Sequence, residues 1–271
     1  MNILQTIAAS KRIEVAQNKE LIPVKLLERS PYFGSKTVSL AKYLQRTDKH
    51  GIIAEFKRKS PSKGFINEFA NAAEITTGYM QSGASALSVL TDNKFFGGSS
   101  KDLTDARKHN FCPILRKDFI LEEYQIVEAK SIGADAILLI AALLQPNEIK
   151  QLASFAKSLG LEVLLEIHSE NELNAICPEI DAVGVNNRNL ETFEVSMQNS
   201  VNLAPKLTGL LTVSESGIKS AADIISLKQA GYKGFLIGEM FMQTASPETA
   251  CKNLIHKIVE IETKIKQSLY A

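Results

Sequence analysis

The stretch from Gly51 to Ser62, GIIAEFKRKSPS, ends a short apolar run on an acid and a base. Glu55 and Lys57 stand two positions apart, so a strand points both to one face, the face that Ile53 also occupies. Opposite charges on a buried face need a partner or a task. A solvated edge strand, or a basic run of the targeting kind (KRKSPSK), would explain this stretch alone. Neither explains its recurrence. Thr91 and Asp92, Lys117 and Asp118, Glu166, Asn186 with Arg188, Glu215 with Ser216, and Gly238 with Glu239 also close apolar runs. Lys117 shares its face with Leu115, Glu166 with Leu164, Glu215 with Val213 and Gly238 with Leu236. Lysines and carboxylates crowded at one desolvated mouth shift one another's pKa values, so a lysine can act as general acid and a glutamate as its proton partner. No HxH or DxD pair offers a metal site, and His168, two positions after Glu166, reads as a loop or capping residue.

The elements that must position these groups alternate along the chain. The apolar runs are 52–57, 86–91, 113–118, 136–141, 162–167, 182–187, 210–215 and 234–239. Between them, Ala72 to Ser82, Glu122 to Ile132, Pro146 to Leu159 and Ala221 to Ala230 have helical spacing, with Gly83, Gly133, Gly160 and Gly231 as stop signals. Eight such units predict parallel strands closed into a (β/α)8 TIM barrel. An open doubly wound sheet would carry GxGxxG after its first strand, and that motif is absent. Residues 1–48 read as an N-terminal helical extension, broken at Pro23 and at the turn from Pro31 to Gly34. The whole chain, 1–271, is expected to be one barrel domain, closed by a helix from Pro247 to Gln267, with no second catalytic domain. The connection DNKFFGGSS (Asp92 to Ser100) is a candidate active-site loop.

Composition narrows the partners. Thirty-one basic residues against 30 acidic ones leave no footprint for nucleic acid or an acidic membrane surface. No apolar run reaches membrane-spanning length. Cys112, Cys177 and Cys251 lack metal spacing and read as reduced thiols of a cytoplasmic protein. A monomer is expected. Ser216-Gly217 and Gly238-Glu239 follow the seventh and eighth runs, where barrels commonly hold phosphate on backbone amides, Glu239 by its backbone alone. Phe96, Phe119, Leu138, Ile140, Leu190 and Leu236 fall at or beyond run ends, and Phe119, directly after Lys117-Asp118, suggests a slot for a flat ring.

IAEFKRKSPS, SVLTDNKFFGGS, PILRKDFILEEYQI, GADAILLIAALL, EVLLEIH, VGVNNRNLETFEV, TVSESGI and FLIGEMFM resemble the successive signatures of the indole-3-glycerol-phosphate synthase family of tryptophan biosynthesis. The likeness runs from about Ser39 to about Pro247. It implies a phosphorylated small-molecule substrate, 1-(2-carboxyphenylamino)-1-deoxyribulose 5-phosphate, closed to an indole with loss of carbon dioxide and water and without a cofactor. It implies Lys117 as the acid on the ribulosyl carbonyl, and Glu166 and Lys57 as the groups assisting dehydration. Glu55, Asn186 and Glu215 would hold hydroxyls and the developing cationic nitrogen. Ser60, Arg188 and Lys57 would meet anions, Phe96, Phe119, Leu190 and Leu236 would form the anthranilate pocket, and Ser216, Gly217, Gly238 and Glu239 would form the phosphate loops. Asn187 and Asn189 stand where Ser and Asp are frequent, and Glu239 where a small residue is. A sister barrel, phosphoribosylanthranilate isomerase, would need a base cysteine near the first strand, and Cys112 precedes the third instead. A noncatalytic assembly barrel would have lost the charges kept here.

Overall fold

In a computed structural model, which describes residues 3–190 and 192–269, eight parallel strands close into a barrel. Met1, Asn2, Glu191, Tyr270 and Ala271 of the expected 1–271 domain lie outside the described residues. The barrel strands are β1 (Ile52–Phe56), β2 (Ala86–Leu90), β3 (Ile114–Lys117), β4 (Ala136–Ile140), β5 (Glu162–Ile167), β6 (Ala182–Asn186), β7 (Thr212–Glu215) and β8 (Gly234–Ile237). Each pairs with its neighbours in sequence, and β8 closes on β1 through Ile52 beside Phe235 and Ala54 beside Ile237.

Alternation within each strand divides the apolar residues into two layers. Ile53, Leu115, Leu164, Val213 and Leu236 face inward and pack together, while Ile52, Ala54, Phe56, Leu87, Val89 and Leu165 face the surrounding helices. Both faces of β4, AILLI, are buried, as a parallel strand covered on each side requires. The helices start where the sequence offers a cap. Asn71 accepts hydrogen bonds from the amides of Ala73 and Glu74, and Ser220 forms a reciprocal capping box with Asp223. The expected stop glycines at 83, 133, 160 and 231 all take left-handed φ.

Three features differ from the expectation. Between β5 and β6 the connection is a short 3-10 helix, Glu170–Ala175, because only 14 residues separate the strands and Pro178 halts further winding. The basic exit from β1 folds back as a small antiparallel ribbon, Lys59–Ser60 against Gly64–Phe65. Within Asp92 to Ser100, Asp92 caps a single helical turn, Asn93–Phe96.

The segment before β1 reaches both ends of the barrel. Its first helix, Ile3–Leu21, lies at the mouth formed by the C-terminal ends of the strands, where buried Lys11 meets Asp92 at 2.8 Å and Asp118 at 3.0 Å. After the short helix Val24–Leu27, the chain descends along the outer helices: Lys130 donates to the Ser35 carbonyl. It then tucks under the barrel, where Val38 N–H donates to Asp135 and Ala41 N–H donates to Glu162 at the foot of β5. The third helix, Leu40–Leu44, plugs that floor with Leu40 and Leu44.

Candidate active site

The charged pairs are assembled by register and by reach across the barrel. Glu166 on β5 sits beside Gly184 of β6, Asn186 on β6 beside Glu215 of β7, and Glu215 beside Leu236 of β8. Lys117 comes from β3, which borders none of β5, β6 or β7, so its side chain crosses the interior. Its Nζ donates to Glu166 Oε2 at 2.8 Å and to Glu215 Oε2 at 2.7 Å. At the end of β1, Lys57 donates to Glu55 Oε1 at 2.8 Å. All three glutamates are buried, with at most 5% of their surface exposed.

Room for these carboxylates comes from glycine. A Cβ on Gly184 would stand 2.2 Å from Glu215 Oε1, and one on Gly238 would stand 2.4 Å from Glu55 Oε1. A side chain at either position would push the neighbouring acid out of its place. After β7, Ser216 and Gly217 are both left-handed, with φ of 66° and 82°; for a serine this is strained backbone of the kind found where a chain must turn sharply at a site.

Burial and neighbours push the two acids around Lys117 apart. Burial works against ionised Glu166, but the Lys117 ammonium and then His168 hold its carboxyl down at about 2. Burial raises Glu215, against the pull of Lys117, and the nearby Glu166 and Glu55 carboxylates carry it up to about 7. Burial also disfavours the Lys117 ammonium, yet Glu166, Glu215 and Glu55 hold its pKa well above the usual lysine range. The two carboxyls around one charged lysine thus diverge: Glu166 stays ionised and Glu215 alone titrates near neutrality.

One cavity of about 930 Å³ at the mouth gathers every residue expected to bind or act on a substrate. Glu55, Lys57, Lys117, Glu166, Asn186 and Glu215 line it, together with Ser60, Arg188 and Ser216. Phe96 and Phe119 pack 5.9 Å apart between ring centres, and with Leu190 and Leu236 they make the apolar side. Gly217, Gly238 and Glu239 lie in the same cavity wall. The Glu239 side chain is engaged as well: its carboxylate pairs with Lys63 at 2.7 Å and lies 3.6 Å from Arg188. Thr91 and Asp92, which also close an apolar run, are engaged elsewhere: Thr91 donates to Asp118, and Asp92 pairs with Lys11. Ser60 Oγ and Glu215 Oε1 are buried without a hydrogen-bond partner among the described residues.

Several contributors escape a reading of the sequence. Leu4 and Ile7 of the first helix roof the cavity; their helical spacing is visible, but not the end of the barrel they cover. Asn187 is buried and ties β6 to β7, donating to Ser214 Oγ and the Ser216 carbonyl while accepting from Ser200. Its work is structural. His168 lies against Glu166, where a third alternate position on that face could be read from parity. Cys112 lies just before β3, at the opposite end from the mouth, and burial pushes its thiol up to about 12. Among the described residues no cluster of three or more His, Cys, Asp or Glu could hold a metal ion.

Closed parallel barrel and buried acid–base cluster together define a barrel enzyme of the proton-transfer kind. Residues 4–254 match the indole-3-glycerol phosphate synthase family. An indole-3-glycerol phosphate synthase of Bacteroides thetaiotaomicron is 49% identical over 258 residues, covering 95% of this chain and 99% of its own. One from Chromobacterium violaceum is 42% identical, covering 93% and 97%. Among solved structures, a tryptophan synthase α-subunit of Pyrococcus furiosus superimposes with a TM-score of 0.59 over 79% of this chain and 99% of its own; at 15% identity it shares the fold alone. The chain belongs to the indole-3-glycerol phosphate synthase family, carboxy-lyases of tryptophan biosynthesis.

Proposed function

We propose that residues 1–271 work as one cytoplasmic, monomeric barrel, and that the cavity carries out the family's reaction with the groups named here. The substrate is 1-(2-carboxyphenylamino)-1-deoxyribulose 5-phosphate. Its aromatic ring lies against Phe96, Phe119, Leu190 and Leu236. Its phosphate rests on the backbone of Ser216, Gly217, Gly238 and Glu239, with Ser60 and Arg188 meeting its anionic groups. The ring carbon that bears the carboxylate attacks the ribulosyl carbonyl, and Lys117 gives a proton to the carbonyl oxygen as the carbon–carbon bond forms. The carbon–carboxylate bond then breaks, releasing carbon dioxide and returning its electron pair to the ring. In dehydration, Lys57 supplies a proton to the new hydroxyl, which leaves as water, while Glu166 accepts one from the adjacent carbon. Glu55, Asn186 and Glu215 hold hydroxyls and the nitrogen that becomes cationic.

The observation that carries this reading is the Lys117 ammonium held between Glu166 and Glu215. It keeps the donor protonated and the acceptor ionised inside one water-poor hollow, where fixed charges act more strongly than in water. Titration with the reduced, non-cyclising substrate analogue tests the binding half. Saturation to about a hundred times Kd stabilises the fold by about 2.7 kcal/mol, a rise of several degrees in melting temperature. An unchanged melting temperature at millimolar analogue contradicts it.

A further inference from the structure

His168 follows β5, two positions beyond Glu166, and its side chain lies beside Glu166 with only 10% exposure. Nε2 lies 3.3 Å from Glu166 Oε1, the oxygen that Lys117 does not use, and Nδ1 lies 3.7 Å from Glu172 Oε2. Neither nitrogen has a linear hydrogen bond among the described residues, and both are shut off from solvent. The ring therefore faces a carboxylate at each nitrogen. A neutral imidazole gains little from them, whereas the positive charge of an imidazolium is attracted to both.

Its backbone is equally fixed. His168 N–H donates to Glu172 Oε2 at 2.5 Å, and Asn199 donates to the carbonyls of both His168 and Asn186. We propose that His168 is a positioning residue for Glu166: a charged imidazole that fixes the carboxylate from the side opposite Lys117 and is itself anchored by Glu172. The proposal rests on the reading of Glu166 as proton acceptor. The charges around the ring are Glu166 on its own strand, Glu172 in the following 3-10 turn, Glu215 from β7, and Lys117 from β3 against the far oxygen of Glu166. Burial favours the neutral ring, but Glu172, Glu166 and Glu215 outweigh it and raise the His168 pKa above its usual value. The assembly is a line, Glu172–His168–Glu166–Lys117–Glu215, in which positive and negative groups alternate.

The test is turnover against pH for the wild type, His168→Gln and Glu166→Gln. Glutamine can donate one hydrogen bond but carries no charge. His168→Gln is expected to lower kcat about tenfold below about pH 7 with KM little changed, the mark of a group acting in the transition state. The deficit shrinks at higher pH, where the wild-type ring also loses its charge. A deficit constant with pH, or one confined to KM, overturns the proposal. Full turnover by Glu166→Gln overturns instead the underlying role of Glu166. A second measurement does not depend on the His168 variant folding: the His168 imidazole resonance, followed by NMR, titrates at a lower pH in Glu166→Gln than in the wild type. An unshifted titration overturns the proposal.

Discussion

At the scale of single residues, Glu166 and Glu215 both touch Lys117 yet differ in the charge they carry near neutrality. Lys117→Ala removes the proposed proton donor and leaves the Glu166 and Glu215 carboxyls without their shared cation. Turnover is expected to fall by a factor of about 10² to 10⁴, while far-ultraviolet circular dichroism stays unchanged. Glu215 carries a linked prediction for stability. Its folded pKa, about 7, lies above the ordinary 4.5, so the folded protein keeps a proton that the unfolded chain releases. Stability is therefore fully present below about pH 4.5 and falls as pH rises towards and through 7. With about 1.4 kcal/mol for each pKa unit, the loss is roughly 3 kcal/mol. Glu215→Gln does not titrate, so relative to the wild type its stability in denaturant melts rises by about that amount between about pH 5 and pH 8. A wild-type and variant difference that is the same at both pH values contradicts this assignment. The candidate site was legible because period two is strict: a charge that continues an apolar face must end up at the mouth with it. His168 obeyed the same rule, and its closeness to a loop obscured it.

At the scale of elements, the first helix and the strand ends hold each other. Lys11 is 1% exposed and lies between Asp92 and Asp118, which follow β2 and β3. Asp118 also meets Arg116, which pairs in turn with Glu128. Lys11→Met leaves buried acids short of a cation and is expected to cost about 3–5 kcal/mol in urea unfolding. A loss under about 1 kcal/mol, the range of an exposed pair, would show that the network closes without it. Within SKRIEV only the local pair with Glu14 is visible; the buried acids Asp92 and Asp118 that give Lys11 this role lie far along the chain. Strand positions were legible to within two residues, since apolar runs bounded by charge mark them. The ribbon after β1 and the helical turn Asn93–Phe96 were not, because both depend on tertiary ties. Arg58 supplies one: it reaches Asp102 at 2.7 Å and the carbonyls of Ala70 and Gly97, binding the loop after β1 to the loop after β2.

At the scale of the whole molecule, the barrel separates stability from chemistry along its axis. The floor is closed by Leu40 and Leu44, the middle by inward aliphatic side chains, and the mouth is polar, roofed by Leu4 and Ile7. The segment before β1 joins both ends, so the roof of the cavity and the plug of the core belong to one continuous piece of chain. Gly184→Ala tests how tightly this interior is filled. Its Cβ would displace Glu215, so turnover should fall by at least about tenfold, with stability reduced by the roughly 1–3 kcal/mol typical of overpacking. Wild-type turnover in that variant would show that Glu215 can move without consequence. The fold was legible from eight alternating units, whereas the path of the first 48 residues was not, because amphipathic spacing shows that a helix packs but not on which end of a barrel. The most direct test of the central claim is the fluorescence of the indole product formed from the carboxyphenylamino ribulose ester by the wild type, Lys117→Ala and Glu166→Gln. Product is expected from the wild type, with a loss of at least about a hundredfold in both folded variants. Undiminished product from either one contradicts the claim.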